Sequence, residues 1–360
     1  MKKFGFLLII GLCLMICASD KKEMSGEDEK RLIRHGCPKR NATVDDEQTM
    51  IDLAIKFNQA ERNDDISGME KLADEMYSFA SQFSDTVRGR RILAGANIKK
   101  GSVYCLQKNR AKAFEAFDTA ILYSPDAETV MYAYSLKLSC FWSKKYVEEI
   151  HGIMDACRKE YAKIKTSEDF RKDPEFRQSI QNQYSASFAS YCYFLLHIKG
   201  FDRIKKYIVD FMAEFESEDD FCKIVDESGW LFFLLAEAFR GEKDFEKEQF
   251  YLKKSFHWAK QGKFVDGSLY LRLAAYEVKR GNYEQALAYC DSGLASKQFI
   301  TNRLYAEQQA ILLFAKSKIY EKMGRPETAR EYLKKSRKLH PSPNFRKYFD
   351  PWWIKKLNPM

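Results

Sequence analysis

The stretch LLFAKSKIYEKMGRPETAREYLKKSRKLHP, residues 312–341, reads as two amphipathic helices joined at GRPE. Ser317 is small, Tyr320 follows three residues later, and Gly324 four after that. Ala329, Ser336 and Pro341 complete the pattern. Small residues let two antiparallel helices approach, and a bulky residue a turn away fills the next groove. Gly324 suits the end of the first helix and Pro341 the end of the second. Whether this hairpin stands alone or closes a row of hairpins decides the fold.

The same offsets recur. In residues 270–296, Ala274, Gly281, Ala286 and Gly293 keep the spacings of Ser317, Gly324, Ala329 and Ser336. In GSVYCLQKNRAKAFEAFDTAILYSP, residues 101–125, Gly101, Tyr104, Ala113, Phe117, Ala120 and Pro125 keep them as well. A fourth copy, residues 231–255, offers Ala236, Phe239, Phe245 and Ser255, with Glu248 where Ala is expected. Segments around YAYSLKLSCFWSKKYVEEI and YCYFLLHIKGFDRIKKYIVDF read as helical hairpins with little of the pattern left. Further upstream, Met50, Leu53, Ala54 and Phe57, then Met69, Leu72, Met76, Phe79 and Phe83, recur at helical spacing. No period-two alternation marks a strand. Only 17 Gly and 8 Pro, against 20 Tyr and 27 Phe, also argue for packed helices rather than many tight β-turns.

These motifs resemble the tetratricopeptide repeat (TPR) family, whose period is about 34 residues. Gly101 and Ala236 are close to four such periods apart, and the later intervals require insertions in their turns. The fold expected is all-α, an α-solenoid of antiparallel helix pairs over residues 46–341, with a C-terminal capping helix in 342–360. The resemblance implies a protein-interaction groove lined by the first helix of each pair. Its groove positions fall on Trp230, Phe233, Glu237 and Arg240 in one unit. They fall on Leu271, Ala275 and Lys279 in the next, and on Ile311, Phe314, Lys318 and Lys322 in the last. Some relatives grip a carboxylate with Lys and Asn, but Ile98 and Ser102 hold the matching places in the residue 101–125 unit. The aromatic and cationic mix implies an apolar or mildly acidic peptide.

Residues 1–19, within MKKFGFLLIIGLCLMICASD, have the parts of an export signal: Lys2 and Lys3, an apolar run, then Ala18 and Ser19. The run falls short of the roughly twenty residues of a membrane span. Two processing routes stay open. Cys17 is placed for lipidation, although Ile16 departs from the small residue usual before a lipidated Cys; the other route is plain cleavage near Ala18 or Ser19. Residues 20–45 are polar and read as a tether. Export would place the protein in the periplasm or on the membrane of a bacterial envelope.

Cys37, Cys105, Cys140, Cys157, Cys192, Cys222 and Cys290 remain, with no metal-ligand spacing. Buried thiols at small helix positions are expected, with a disulfide as the alternative. No catalytic, nucleotide-binding or metal motif is present, so neither enzymatic activity nor a cofactor is expected. The net charge is +9, and it is concentrated. Residues 296–360 carry 15 Lys and Arg against 5 Asp and Glu; the rest carries 45 against 46. Tyr348, Phe349, Trp352 and Trp353 lie among these cations. The basic end either caps the array or meets a membrane or another anionic partner; nucleic acid is not expected. The leading functional expectation is an envelope scaffold that binds a peptide or partner protein. The alternatives are a signalling input module, normally followed by a spanning helix and effector part, and a glycan-processing enzyme on a repeat scaffold.

Overall fold

Thr43 opens the first helix with a reciprocal cap. Its hydroxyl accepts from the Asp46 N–H, and its own N–H donates to Asp46 Oδ2 at 2.8 Å. Arg40 grips the same carboxylate at 2.5 and 2.6 Å and lies over the Phe83 ring at 4.7 Å. Residues 40–45, expected in the tether, therefore belong to the folded part. The computed structural model describes residues 40–63, 65–83, 85–140, 144–263, 267–296 and 302–339. The export signal, Cys17, most of the tether, Cys37 and the 342–360 cap lie outside them.

The described residues form sixteen α-helices and no sheet. They divide into two compact units, ending and beginning at Ile198 and Lys199, where the sequence suggested one repeat domain.

The first unit contains α1 (Val44–Arg62), α2 (Ile66–Ala80), α3 (Val87–Leu106), α4 (Arg110–Tyr123), α5 (Ala127–Cys140), α6 (Val147–Lys165), α7 (Glu168–Lys172) and α8 (Pro174–His197). Met50, Leu53, Phe57, Met69 and Met76 form the core where α1, α2 and α3 meet. Arg91 ties α3 to the start of α5 through a two-pronged bond to Asp126, at 2.9 and 3.1 Å, and reaches Glu47 of α1 at 3.4 Å. The expected packing of α5 on the next helix is present, but α5 packs more extensively along α8. Helix α8 packs on both α5 and α6. It carries a buried aromatic edge of Tyr184, Phe188 and Tyr191, and its buried Ser187 reaches the Met131 carbonyl at 3.5 Å. Helix α6 supplies Tyr161 to the far side of that edge, stacked on Tyr184 with centroids 3.9 Å apart.

The second unit contains α9 (Phe201–Met212), α10 (Glu218–Ile224), α11 (Ser228–Gly241), α12 (Phe245–Lys260), α13 (Gly267–Lys279), α14 (Tyr283–Ala295), α15 (Asn302–Lys322) and α16 (Pro326–Leu339). Helix pairs α11/α12, α13/α14 and α15/α16 follow one another, and α9 packs on α11.

Four hairpins share one turn. In α3/α4, α11/α12, α13/α14 and α15/α16 three residues separate the helices. The middle one is left-handed: Lys108 (φ 59°), Lys243 (68°), Gly281 (77°) and Gly324 (72°). Its N–H donates three residues back, at 3.0–3.1 Å. The next N–H donates five residues back: Asn109 to Tyr104, Asp244 to Phe239, Asn282 to Glu277 and Arg325 to Tyr320, at 2.8–2.9 Å. This satisfies the carbonyls that a helix end leaves open. Each left-handed residue lies seven after the small residue read from sequence, including the weaker copy at Ala236. The insertions expected inside turns therefore fall between hairpins, because the turn itself is fixed in length.

Packing keeps the same register. Ala113, Phe117 and Ala120 are wholly buried, as are Ala286 and Cys290. The Ser336 hydroxyl donates to the Ala310 carbonyl at 2.7 Å, and Ser255 donates to Gly229 at 2.7 Å, each across 26 residues.

Candidate functional site

Helices α11, α13 and α15 carry every groove position implied above. On α11, Trp230 stacks on Phe233, with centroids 5.1 Å apart and planes 16° apart. Both are buried, as is Leu271 on α13. These three were expected on an open face. Their apolar bulk instead fills the space between helices, where burying one such side chain contributes about 1.5–3 kcal/mol. Arg240, Phe314, Lys318 and Lys322 are half-buried and Lys279 is exposed.

Glu237 is the centre of the charged part. It is only 3% exposed. Arg240, one turn along α11, reaches it at 2.5 Å. Arg272 of α13 reaches it with two nitrogens, at 2.8 and 3.1 Å. A carboxylate this deep is tolerated because two guanidinium groups satisfy it. Glu248 of α12 lies in the same field. Burial raises its pKa and Glu237 adds to the rise, while Arg240, Arg272 and Lys279 oppose it. Lys279 also lies 6.0 Å from the Phe245 ring centroid, and that Phe is 54% exposed. The structure thus joins Glu237 and Arg240, adds Arg272 and Glu248, and sets Lys279 within electrostatic reach. Arg272 escaped the sequence reading because it lies off the groove positions; the available signal was a cation 35 residues, about one repeat, beyond a carboxylate.

On α15, Lys318 reaches Glu321 at 2.7 Å and lies 5.7 Å from the Phe314 ring centroid. Lys316 is 5% exposed, reaches Asp291 of α14 at 2.5 Å and lies over Tyr332 of α16 at 4.6 Å. Burial works against its charge, yet Asp291 and Tyr332 hold its pKa above the ordinary value.

The cysteines give a mixed outcome. Cys105, at the end of α3, is disulfide-bonded to Cys140, at the end of α5. Cys157, Cys192, Cys222 and Cys290 are buried thiols. Among the described residues no group of three or more His, Cys, Asp or Glu is placed to hold a metal. No described helix is long and apolar enough to cross a membrane.

Residues 310–342 match the tetratricopeptide repeat family model. A solved structure of pilF from Pseudomonas aeruginosa is 18% identical, covering 72% of this chain and 98% of that one, with a TM-score of 0.42. No curated protein matches the chain. The hairpin of α15 and α16 matches the tetratricopeptide repeat, and its turn and packing register recur in earlier hairpins, so the described residues form a TPR-like, all-α helical-repeat architecture.

Proposed function

We propose that the protein is a non-enzymatic scaffold of a bacterial envelope that binds an apolar or mildly acidic segment of another protein. Tetratricopeptide repeats are in general protein-interaction scaffolds, which supports the coarse reading. The observation that carries the finer one is the accessible row on the first helices of the second unit: Arg240 on α11, Lys279 on α13, and Phe314, Lys318 and Lys322 on α15. Cations beside an accessible ring suit a segment that offers both carboxylates and apolar side chains. Trp230, Phe233 and Leu271 hold the helices beneath that row, and the paired Glu237 fixes Arg240.

Export is supported by the signal-like first 19 residues and by the Cys105–Cys140 disulfide, since such bonds persist outside reducing compartments. Membrane attachment, through a lipidated Cys17 or the basic C-terminal end, belongs to the same proposal.

The test is photocrosslinking from position 322 in the full-length protein in cells, followed by mass identification of the crosslinked chains. A discrete partner that disappears in Phe314→Ala with Lys318→Ala, at unchanged helicity, is the expected result. Unfolding of that double variant would move both residues into the core and remove the proposed surface. Mass analysis of the mature N-terminus tests export: recovery of the intact chain from the cytosol would overturn it.

A further inference from the structure

We propose that the outer face of α16 docks on an anionic lipid surface. Arg330, Lys334, Arg337 and Lys338 are spaced at i, i+4, i+7 and i+8, which puts them on one side of the helix. All four are exposed. Among the described residues none of them forms an ion pair or hydrogen bond. The opposite side is the packed one: Ala329 is 2% and Ser336 1% exposed.

Elsewhere in the second unit several cations find carboxylates on other elements. Lys205 reaches Glu242, Lys254 reaches Glu218 and Lys263 reaches Asp226. The acids of α16, Glu327 and Glu331, sit in its first half, so the last turns present uncompensated positive charge. A lipid surface is favoured over an acidic protein for two reasons. The four cations, two Arg and two Lys, have no built receptor around them, which suits a diffuse layer of headgroups. In sequence, the helix also leads directly into Arg346, Lys347, Lys355 and Lys356 interleaved with Tyr348, Trp352 and Trp353, a composition that suits a membrane interface.

The proposal gives the membrane-association part of the function above a specific face. The scaffold reading does not depend on it, and the crosslinking experiment is a separate readout. The test is flotation of the full chain with phosphatidylcholine vesicles, with and without phosphatidylglycerol, at low and high salt. Binding to the anionic vesicles alone, weakened by salt, is expected. Each cation near such a surface contributes roughly five-fold in affinity, so the variant Arg330→Gln, Lys334→Gln, Arg337→Gln, Lys338→Gln should bind at least about ten-fold more weakly. Its circular dichroism and melting temperature establish that it is folded. A charge-matched control, Lys71→Gln, Lys159→Gln, Lys206→Gln, Lys253→Gln, should keep most of the binding. The proposal is overturned if control and variant lose binding equally, since net charge alone would then act. It is also overturned if the variant binds like the native chain, or if the native chain ignores anionic vesicles but retains polyglutamate, which would make the face a site for acidic protein.

Discussion

Gly101 lies under the ring of Phe117, so close that a Cβ at position 101 would stand 2.5 Å from Phe117 Cε1. Phe117 is wholly buried and has no free side to retreat to. Gly101→Val should therefore destabilise the first unit by about 1–3 kcal/mol, as overpacking does. Phe117→Ala should cost about 3–5 kcal/mol through the cavity it leaves. Urea unfolding followed by circular dichroism measures both; a Val at 101 without loss would show that helices α3 and α4 can separate freely.

The shared turn makes a prediction of opposite sign. Lys108 and Lys243 occupy the left-handed position that Gly281 and Gly324 fill in the other copies. A side chain there costs about 1–2 kcal/mol, partly offset by the entropy a glycine adds to the unfolded chain. Lys108→Gly and Lys243→Gly should each raise stability by about 0.5–1 kcal/mol, read as a higher melting temperature. Gly324→Ala should lower it.

Two serines in the last repeat should behave differently. Ser336 donates to the Ala310 carbonyl, so Ser336→Ala should cost about 0.5–1.5 kcal/mol. Ser317 is also fully buried, but its hydroxyl has no hydrogen-bond partner among the described residues. Ser317→Ala should be neutral or stabilising, because it removes an unsatisfied polar group without opening a cavity. Paired denaturant titrations of the two variants decide this.

Arg272 and Glu237 join α13 to α11. Arg272→Ala leaves Glu237 buried with Arg240 alone and should cost about 2–4 kcal/mol, towards the lower end of a broken buried pair. Arg272→Lys should not restore it, since one ammonium cannot make two parallel bonds. The same substitutions should weaken partner crosslinking from position 279, because Glu237 would then be shared differently with Arg240.

Burial pushes the Cys157, Cys222 and Cys290 thiols up to about 12, and Cys192 further in the same direction. At pH 8 these four should resist iodoacetamide in the folded protein and react after denaturation. Cys105 and Cys140 should react only after reduction as well, and a non-reducing digest should contain their linked peptides. Rapid native alkylation of the four thiols would contradict the packing described for α6, α8, α10 and α14.

The sequence by itself determined the all-α fold and the repeat register. It could do so because small residues, turn position and closing proline recur at fixed offsets, and each offset reports a local constraint: close helix approach, a left-handed turn, a helix end. The copy at Ala236 had lost the alanine at 248, yet its turn and its Ser255 bond keep the same geometry. Tertiary structure alone decided three matters. It paired α5 most extensively with α8, three helices further on. It joined Cys105 to Cys140, which no spacing rule selects. It also sorted the groove positions, burying Trp230, Phe233 and Leu271 and leaving Arg240, Lys279, Phe314, Lys318 and Lys322 accessible. A helical position is legible from period, but its exposure depends on which neighbour covers it, and that is set by residues a repeat or more away.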